Sequence, residues 1–392
     1  MGSSLAGRIL YKIMKKILFL TGTRADFGKL KPLMRAVEDA QELECHIFIT
    51  GMHTLNKYGK TELEVKKEFT ENTFVFYNQH LGEPMEVVLA NTIKGLSRYI
   101  HENKPDLLVV HGDRVEALAG AIAGSVNNVL VCHVEGGERS GTIDELIRHS
   151  VSKLSHLHMV ANEEAKTRLL QMGEDESSVF VIGSPDIDIM KSKSLPSLGE
   201  VKSRYEIPFE QYGILLYHPV TTALDTIYQD TQILCEALKK SNKKFVVIFP
   251  NNDEGSQVIL DCYEQFKGDD NFKVFPSIKF ERFLTLLKNA QVIIGNSSAG
   301  IREAPAYAVP TINMGSRQNS RYLHNTIINC DFDLDKITNE LSSLFDMPAT
   351  NVVEASDYFG SGNSAQQFIE VLLSKNLWEL SPQKLFIDRV EA

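Results

Sequence analysis

Short apolar runs alternate with amphipathic segments along most of the chain, beginning near Met14. This alternation is typical of βα units, in which helices join parallel strands. Residues 85–103 place Leu89, Ile93, Leu96 and Ile100 at helical spacing, which predicts a helix with one side facing a sheet. The strands predicted in the first half are residues 17–21, 46–50, 107–111, 129–134, 157–160 and 179–182.

The alternation weakens over residues 184–206, which are rich in proline, serine and lysine, and then resumes. We therefore predict an α/β fold of two Rossmann-like domains, residues 14–184 and 185–363, facing each other across a cleft. Open α/β sheets bind ligands outside the carboxyl ends of their strands, so the cleft is the expected site. The second domain is predicted to contain strands at 214–217, 245–249, 273–275, 292–294 and 311–313 and helices at 226–241, 280–289 and 335–345.

The two ends of the chain fall outside this pattern. Residues 1–13 precede a second methionine, Met14, and are too short and too weakly apolar for a secretory signal, so we interpret them as a leader segment or an alternative start. Residues 364–392 begin with an amphipathic stretch at 364–375. The sequence leaves open whether this last segment packs on the second domain or back on the first.

The composition argues against a nucleic-acid-binding protein and against a membrane protein. A net charge of −10 and the lack of a Lys/Arg run argue against nucleic-acid binding. No apolar run approaches the ~18 residues of a membrane span, so no membrane partner is expected. The five cysteines are odd in number, widely separated and without zinc spacing, which indicates reduced thiols in the cytoplasm.

The loop after the first predicted strand brings an arginine, Arg24, to a strand's carboxyl end. The loop lacks the three glycines of the dinucleotide fingerprint, which disfavours an NAD site. Arg24 would suit a phosphate oxygen of a ligand; alternatively it is an exposed arginine paired with Asp26. Ala25 lies in the same loop, and we group it with Arg24 as a candidate substrate-binding residue.

Three acidic residues follow neighbouring strands of the first domain. Asp113 could be a carboxylate at the cleft, or could cap the next helix together with Glu116. Glu135 has no evident capping role, and the two glycines after it would allow a ligand to approach the backbone. Asp144 could serve the cleft, or could be a first-turn acid of a helix that begins at Thr142. Together the three acids offer the general base and general acid of a reaction.

The second domain offers groups suited to a diphosphate. Ser297 and Ser298 lie in a small-residue loop that leads into a helix, which is a suitable phosphate cradle, although an ordinary serine cap has the same form. Glu303 could accept ribose hydroxyls or simply be favoured by the helix dipole. Pro305 implies that this helix is short or kinked. His218 could donate to a diphosphate or be a satisfied histidine at a strand end.

Two further histidines, His156 and His158, lie on one face of a predicted strand. They could suggest a metal site, but no third ligand is visible in the sequence. We therefore interpret them as sheet-packing residues and expect no metal.

The motifs, taken in order, closely resemble those of the hydrolysing UDP-N-acetylglucosamine 2-epimerases, the NeuC-type family of sialic acid biosynthesis. The likeness extends from about residue 14 to about residue 375. The motifs that carry it are Thr21-Gly22-Thr23-Arg24-Ala25-Asp26, His111-Gly112-Asp113-Arg114, His133-Val134-Glu135-Gly136-Gly137, Asn296-Ser297-Ser298 with Arg302-Glu303, and Gly315-Ser316-Arg317-Gln318.

The resemblance implies a glycosyltransferase-B-like fold and the conversion of UDP-GlcNAc and water to N-acetylmannosamine and UDP, by elimination to 2-acetamidoglucal and hydration with inversion at C2. It also implies a homodimer and no cofactor. By resemblance, the acid/base carboxylates are Asp113, Glu135 and Asp144, and Arg114 lies near the sugar. The residues that hold the UDP part are Arg24, His218, Asn251, Ser297, Ser298, Glu303 and Arg317. We expect Arg24, His218 and the amides of Ser297 and Ser298 to stabilise the leaving diphosphate, and we therefore count His218 among the catalytic residues.

One departure concerns the subclass. Non-hydrolysing bacterial relatives carry Gly-Gln-His after the second strand, where this chain has Gly51-Met52-His53, which favours the hydrolysing branch. Three alternatives remain open: a hydrolysing 2-epimerase of UDP-2,4-diacetamido-2,4,6-trideoxy sugar used for legionaminic acid, a UDP-sugar glycosyltransferase of the same fold, and a non-catalytic sugar-nucleotide sensor.

Overall fold

A computed structural model describes residues 14–140, 143–318, 321–347 and 354–388. The predicted leader, residues 1–13, lies outside this part of the chain, as does Thr142. Within the described residues the chain forms two parallel α/β sheets, as predicted. The interior strands are nearly continuous apolar runs because helices cover both faces of each sheet; in the strand Leu107–His111, for example, the first four side chains are fully buried.

The first sheet has seven strands in the order β3-β2-β1-β4-β5-β6-β7, and all of its pairings are parallel. The order reverses between β1 and β4, which is the switch point where such sheets bind ligands. Its elements are β1 (Lys15–Thr21), α1 (Arg24–Glu38), β2 (Leu43–Ile49), α2 (Glu62–Glu68), β3 (Thr73–Val75), α3 (Met85–Asn103), β4 (Leu107–His111), α4 (Val115–Val126), β5 (Leu130–Val134), α5 (Ile143–Leu154), β6 (Leu157–Val160), α6 (Glu163–Gln171) and β7 (Val179–Val181).

The second sheet has six parallel strands in the order β10-β9-β8-β11-β12-β13, with its switch point between β8 and β11. Two helices lie in the segment where the sequence pattern weakened, namely α7 (Pro185–Lys191) and α8 (Leu198–Tyr205). The remaining elements are β8 (Gly213–Leu216), α9 (Ile227–Lys240), β9 (Phe245–Ile248), α10 (Ser256–Tyr263), β10 (Phe272–Phe275), α11 (Phe280–Lys288), β11 (Val292–Gly295), α12 (Glu303–Ala306), β12 (Thr311–Met314), β13 (Ile327–Cys330), α13 (Leu334–Asp346) and α14 (Ser364–Leu372).

The last helix, α14, packs on the first sheet rather than the second. Its Phe368 and Leu372 are fully buried in the core that surrounds β1 and α1. The Asp188 carboxylate of α7 accepts hydrogen bonds from the backbone N–H groups of Ser364 and Ala365, at 2.9 and 2.8 Å. These bonds satisfy donors that the first turn of a helix leaves free, so α7 fixes where α14 begins.

Two strands were absent from the prediction, β3 and β13. Both lie at sheet edges, and β3 has only three residues, with Phe74 exposed. A short edge strand buries little, so it leaves no apolar run in the sequence. The other strands lie within a few residues of their predicted positions.

Candidate active site

A cavity of about 310 Å³ lies between the carboxyl edges of the two sheets. The loops after β1, β4 and β5 line it from one side, and the loops after β8, β9, β11 and β12 line it from the other. All twelve candidate residues from the sequence line this cavity: Arg24, Ala25, Asp113, Arg114, Glu135, Asp144, His218, Asn251, Ser297, Ser298, Glu303 and Arg317.

Asp113 follows the left-handed Gly112 at the end of β4 and forms an ion pair with Arg148 of α5. The alternative that Asp113 caps α4 is wrong, because Arg114 holds the N-cap position and makes no side-chain capping bond. Glu116 instead pairs with Arg114, at 3.2 Å from its Nε. Burial by itself would raise the pKa of Asp113, but the neighbouring arginines, chiefly Arg148, outweigh it and lower that pKa.

Glu135 is buried and surrounded by basic side chains. Its backbone has a φ of 62°, a left-handed conformation that is strained for a residue with a side chain. Arg302 lies 2.6 Å from one carboxylate oxygen and His111 Nε2 lies 3.0 Å from the other. Burial would raise the pKa of Glu135, but Arg302, Lys29 and His111 outweigh it and hold that pKa well below its usual range.

Asp144 lies in the first turn of α5, and Arg317 of the second domain donates to its carboxylate at 2.8 Å. Burial raises the pKa of Asp144, and the nearby carboxylates of Asp113 and Asp253 add to this effect, so the opposing Arg317 does not cancel it. Asp144 therefore differs from the other two acids: its environment favours the protonated carboxyl group, whereas theirs favours the carboxylate.

The glycine pair after Glu135 has another purpose than the one expected from the sequence. Neither Gly136 nor Gly137 lines the cavity, so the prediction that they admit a ligand is wrong. A Cβ on Gly136 would lie 2.7 Å from Nδ1 of His133, and one on Gly137 would lie 2.3 Å from the carbonyl oxygen of Ala165. These glycines are needed because protein atoms approach their backbone closely.

His218 is neutral in a defined tautomer. Its Nδ1 accepts the backbone N–H of Asn251 at 3.0 Å, which leaves the ring proton on Nε2. Burial, assisted by Arg317 and Arg114, holds the pKa of His218 well below its usual range. Asn296 fixes the backbone of His218 on both sides, accepting from its N–H at 2.7 Å and donating to its carbonyl at 2.8 Å. A neutral imidazole with one N–H therefore lines the cavity.

The loop after β11 is small and tightly turned, as its composition predicted. The Ser297 hydroxyl accepts the backbone N–H of Ala299 at 3.3 Å, which is the capping alternative considered for that serine. A single 3₁₀ turn, Ser298–Gly300, follows, and α12 has only four residues. Pro305 lies within α12, in agreement with the short helix that was predicted from it.

Arg24 is paired, but not with Asp26. Its guanidinium binds Glu64 of α2 and donates to the Ser277 hydroxyl of the second domain at 2.6 Å. Asp26 instead forms a capping box with Thr23 at the start of α1 and accepts from the Thr21 hydroxyl at 2.6 Å. The alternative that paired Arg24 with Asp26 is therefore wrong, because local helix capping uses that carboxylate.

Several charged residues of the site were not singled out from the sequence. Lys29 of α1 lies 2.9 Å from Asp186 and 3.1 Å from Glu303, all three being buried. Arg302 spans the domains by pairing with Glu135 and Glu138. Two signals were available in the sequence. Lys29 is a lysine on the otherwise apolar side of an amphipathic helix, and Arg302 belongs to one of the motifs that carry the resemblance, although no role was assigned to it.

The two histidines that the sequence analysis interpreted as sheet-packing residues both have hydrogen-bond partners within the protein. His156 bonds the N–H of Val131 through Nδ1 at 3.0 Å, and His158 bonds Glu174 at 2.9 Å. In the described ranges, no three His, Cys, Asp or Glu side chains are arranged to hold a metal ion.

No helix in that same part of the chain is long and apolar enough to cross a membrane. The five cysteines are free thiols, and all except Cys45 are buried.

Comparison with known proteins identifies the family. Residues 35–373 match the family described as UDP-N-acetylglucosamine 2-epimerase. A Neisseria meningitidis protein named UDP-N-acetylglucosamine 2-epimerase is 49% identical, the match covering 96% of this chain and 99% of that protein. A Legionella pneumophila protein named UDP-N,N'-diacetylbacillosamine 2-epimerase (hydrolyzing) is 32% identical over 92% of this chain and 96% of that protein.

Solved structures share the fold. The UDP-GlcNAc 2-epimerase of Methanocaldococcus jannaschii in complex with UDP-GlcNAc and UDP matches with a TM-score of 0.76 at 22% identity, over 92% of this chain and 99% of that one. A UDP-GlcNAc 2-epimerase from Neisseria meningitidis bound to UDP-GlcNAc matches with a TM-score of 0.75 at 20% identity, over 91% of this chain and 99% of that one. The two-domain, glycosyltransferase-B-like architecture is thus shared, and the chain belongs to the UDP-N-acetylglucosamine 2-epimerase family.

Proposed function

We propose that the protein is a hydrolysing 2-epimerase that converts UDP-GlcNAc and water to N-acetylmannosamine and UDP. The observation that carries this proposal is the shared cavity, in which Asp113, Glu135 and Asp144 of the first domain face His218 and Arg317 of the second. Carboxyl groups able to move protons thus meet groups able to hold a leaving diphosphate in one space.

In the first step, a carboxylate removes the C2 proton while the C1–O bond breaks and UDP departs, which leaves 2-acetamidoglucal. Negative charge then grows on the diphosphate. The Nε2–H of neutral His218 and the guanidinium of Arg317 are suited to stabilise that charge, because contacts with Asn251 and Asp144 hold both groups in place at the cavity before the charge forms. Arg24, Ser297 and Ser298 line the same cavity and offer further donors.

In the second step, water adds across the double bond: its oxygen binds C1 while a carboxylate accepts the proton that the water loses, and a carboxylic acid delivers a proton to C2 on the face opposite to the one that was deprotonated. The environments of the three acids divide the two roles. Asp144 has a raised pKa and is suited to deliver a proton, whereas Asp113 and Glu135 have lowered pKa values and remain carboxylates. We propose Asp144 as the acid and a member of the anionic pair as the base.

The substrate is proposed from the relatives. The Neisseria meningitidis relative named UDP-N-acetylglucosamine 2-epimerase is 49% identical, whereas the Legionella pneumophila relative named for UDP-N,N'-diacetylbacillosamine is 32% identical. The higher identity favours UDP-GlcNAc. Hydrolysis is supported by Met52, which stands where non-hydrolysing bacterial relatives have glutamine, and by the word "hydrolyzing" in the second relative's name. The homodimer and the sialic acid pathway remain predictions from the resemblance.

The test is incubation of the protein with UDP-GlcNAc in D₂O without any sugar acceptor, followed by NMR of the products. We expect free UDP and N-acetylmannosamine carrying deuterium at C2. UDP-ManNAc without free UDP would indicate a non-hydrolysing epimerase. Intact UDP-GlcNAc would indicate the sensor, UDP release that requires an acceptor would indicate the glycosyltransferase, and preferential turnover of the 4-acetamido-6-deoxy analogue would indicate the legionaminic acid branch.

The matched variants are Asp113→Asn, Glu135→Gln and Asp144→Asn. Each is expected to lower turnover by about 10²–10⁴-fold, the usual cost of losing an acid/base partner, with UDP still bound. Near-normal rates in all three variants would reject the proposed mechanism.

A further inference from the structure

We propose that His133 is a positioning residue for the three acids, because its ring connects the elements that carry all of them. This inference rests on the proposed function, since the acids matter only if they are catalytic. His133 itself does not line the cavity. It is fully buried on β5, behind the catalytic loops.

The ring of His133 makes two hydrogen bonds. Nε2 lies 2.8 Å from the carbonyl oxygen of Gly112, and Nδ1 lies 3.0 Å from the Ser152 hydroxyl. A carbonyl can only accept, so the ring proton is on Nε2, and Nδ1 accepts from the serine. Burial lowers the pKa of His133 to about 3, so the ring stays neutral in this tautomer at neutral pH.

Each end of this connection is close to an acid. Gly112 directly precedes Asp113, and its N–H also donates to the Val134 carbonyl at 2.9 Å, so both of its polar groups are fixed by β5. His133 is two residues before Glu135. Ser152 lies on α5, the helix whose first turn holds Asp144. One imidazole thus sets the register between a loop, a strand and a helix that each present a carboxyl group.

Gly136 is a second, independent observation. A Cβ at this position would lie 2.7 Å from Nδ1 of His133 and 2.8 Å from Oγ of Ser152, within the space that their hydrogen bond occupies. Both approaches are shorter than real Cβ contacts. The glycine after Glu135 is therefore required for the bond between His133 and Ser152 to form.

The neighbouring strand supplies a matched control. His158 of β6 is paired in register with His133 and is also fully buried. Its ring bonds Glu174 at 2.9 Å instead of a loop that carries one of the three acids, and Glu174 also pairs with Lys153 at 2.9 Å. Loss of this histidine removes a similar buried ring without touching the connection among the acids.

The experiment compares His133→Leu, His133→Gln, Ser152→Ala and His158→Leu. We expect His133→Leu to lower kcat by about 10²-fold with KM for UDP-GlcNAc and Kd for UDP nearly unchanged, which is the cost of a small misplacement of catalytic groups. Glutamine at 133 keeps a donor toward Gly112 and should restore about tenfold of that loss. His158→Leu should retain wild-type kcat.

Two results would overturn the inference. One is wild-type kcat in His133→Leu; the other is a parallel loss of kcat, UDP affinity and thermal stability in His133→Leu and His158→Leu, which indicates only a packing role. If His133→Leu does not fold, Ser152→Ala decides, with reduced kcat expected at unchanged UDP affinity. Failure of the proposed function is distinguishable, because then the wild type itself would not turn over, while ¹⁵N NMR would still report protonation at Nε2 of His133 or refute it.

Discussion

Lys29 offers the sharpest test of how the two domains are held together. Its ammonium group is buried and lies within 4 Å of three carboxylates, those of Asp186, Glu303 and Glu135. In Lys29→Met a side chain of similar length remains, but the carboxylates lose their common cation. Removing one partner of a buried ion pair costs about 3–5 kcal/mol. With a urea slope of about 3 kcal/mol/M, the unfolding midpoint should fall by roughly 1–2 M.

Lys31 on the same helix is the control. It pairs with Glu281 at 2.7 Å and Glu68 at 3.1 Å but is partly exposed, so Lys31→Met should cost about 1 kcal/mol or less. Urea unfolding followed by circular dichroism measures both variants. The deficit of Lys29→Met should also narrow as pH falls, because the orphaned carboxylates become protonated. Equal midpoints for the two variants would refute the argument that the buried cluster is a structural requirement.

Three further predictions concern the packing between the two domains, the stability of the protein at acidic pH and the pH dependence of kcat. Gly28→Ala should destabilise the protein by about 1–3 kcal/mol in urea unfolding, since the new Cβ would lie 2.5 Å from Phe280 across the domains; a gain in stability would contradict this packing. Burial lowers the pKa of His53 to about 4. Between pH 6.5 and 5.0 the unfolded state therefore binds a proton that the folded state does not, and this residue should lower the free energy of unfolding by about 2 kcal/mol. Urea unfolding at both pH values measures the difference. Arg317→Met should raise the pKa of Asp144 further, because it removes the cation that opposes the rise. The part of the pH–kcat profile that reports deprotonation of the general acid should then move to higher pH. If it does not move, Asp144 is not the group that this part of the profile reports.

The fold could be predicted largely from the sequence because interior parallel strands are unmistakable. Residues 107–111 and 157–160 form short, wholly apolar or nearly apolar runs, and both strands lie where predicted. Helix α3 has the predicted bounds, but the side predicted to face the sheet is only partly right. Leu96 and Ile100 are buried as predicted, whereas Leu89 and Ile93 are only partly buried. The buried side also includes Val88, Thr92, Gly95 and Tyr99, so it is rotated from the apolar repeat. The edge strand β3 was not predicted, because its positions are partly exposed and such positions need not be apolar. Burial thus determines how much of an element its sequence reveals.

The positions of the candidate residues could also be predicted, because the loops after parallel strands meet at one edge. Their partners could not. Arg302 and Glu135 are 167 positions apart in the chain, and no local pattern connects them. The role of Gly136 was misjudged for a related reason: the need for a glycine came from a histidine three residues earlier and a serine on another helix. Contacts between distant segments decide the ionisation of the site, and they become visible only in the folded chain.

This distribution of charges makes the acids of the first domain depend on the second. Arg302 is the leading cation that lowers the pKa of Glu135, and Arg317 is the leading one that opposes the rise in the pKa of Asp144. Both arginines belong to loops around the second sheet. The domains therefore do more than enclose the cavity: when they meet, the pKa of Glu135 is lowered while that of Asp144 is raised. Acid/base chemistry in this site uses that difference, and groups of both domains contribute to it: Lys29 and His111 of the first domain act with Arg302 of the second on Glu135, and Asp113 of the first acts with Asp253 of the second on Asp144.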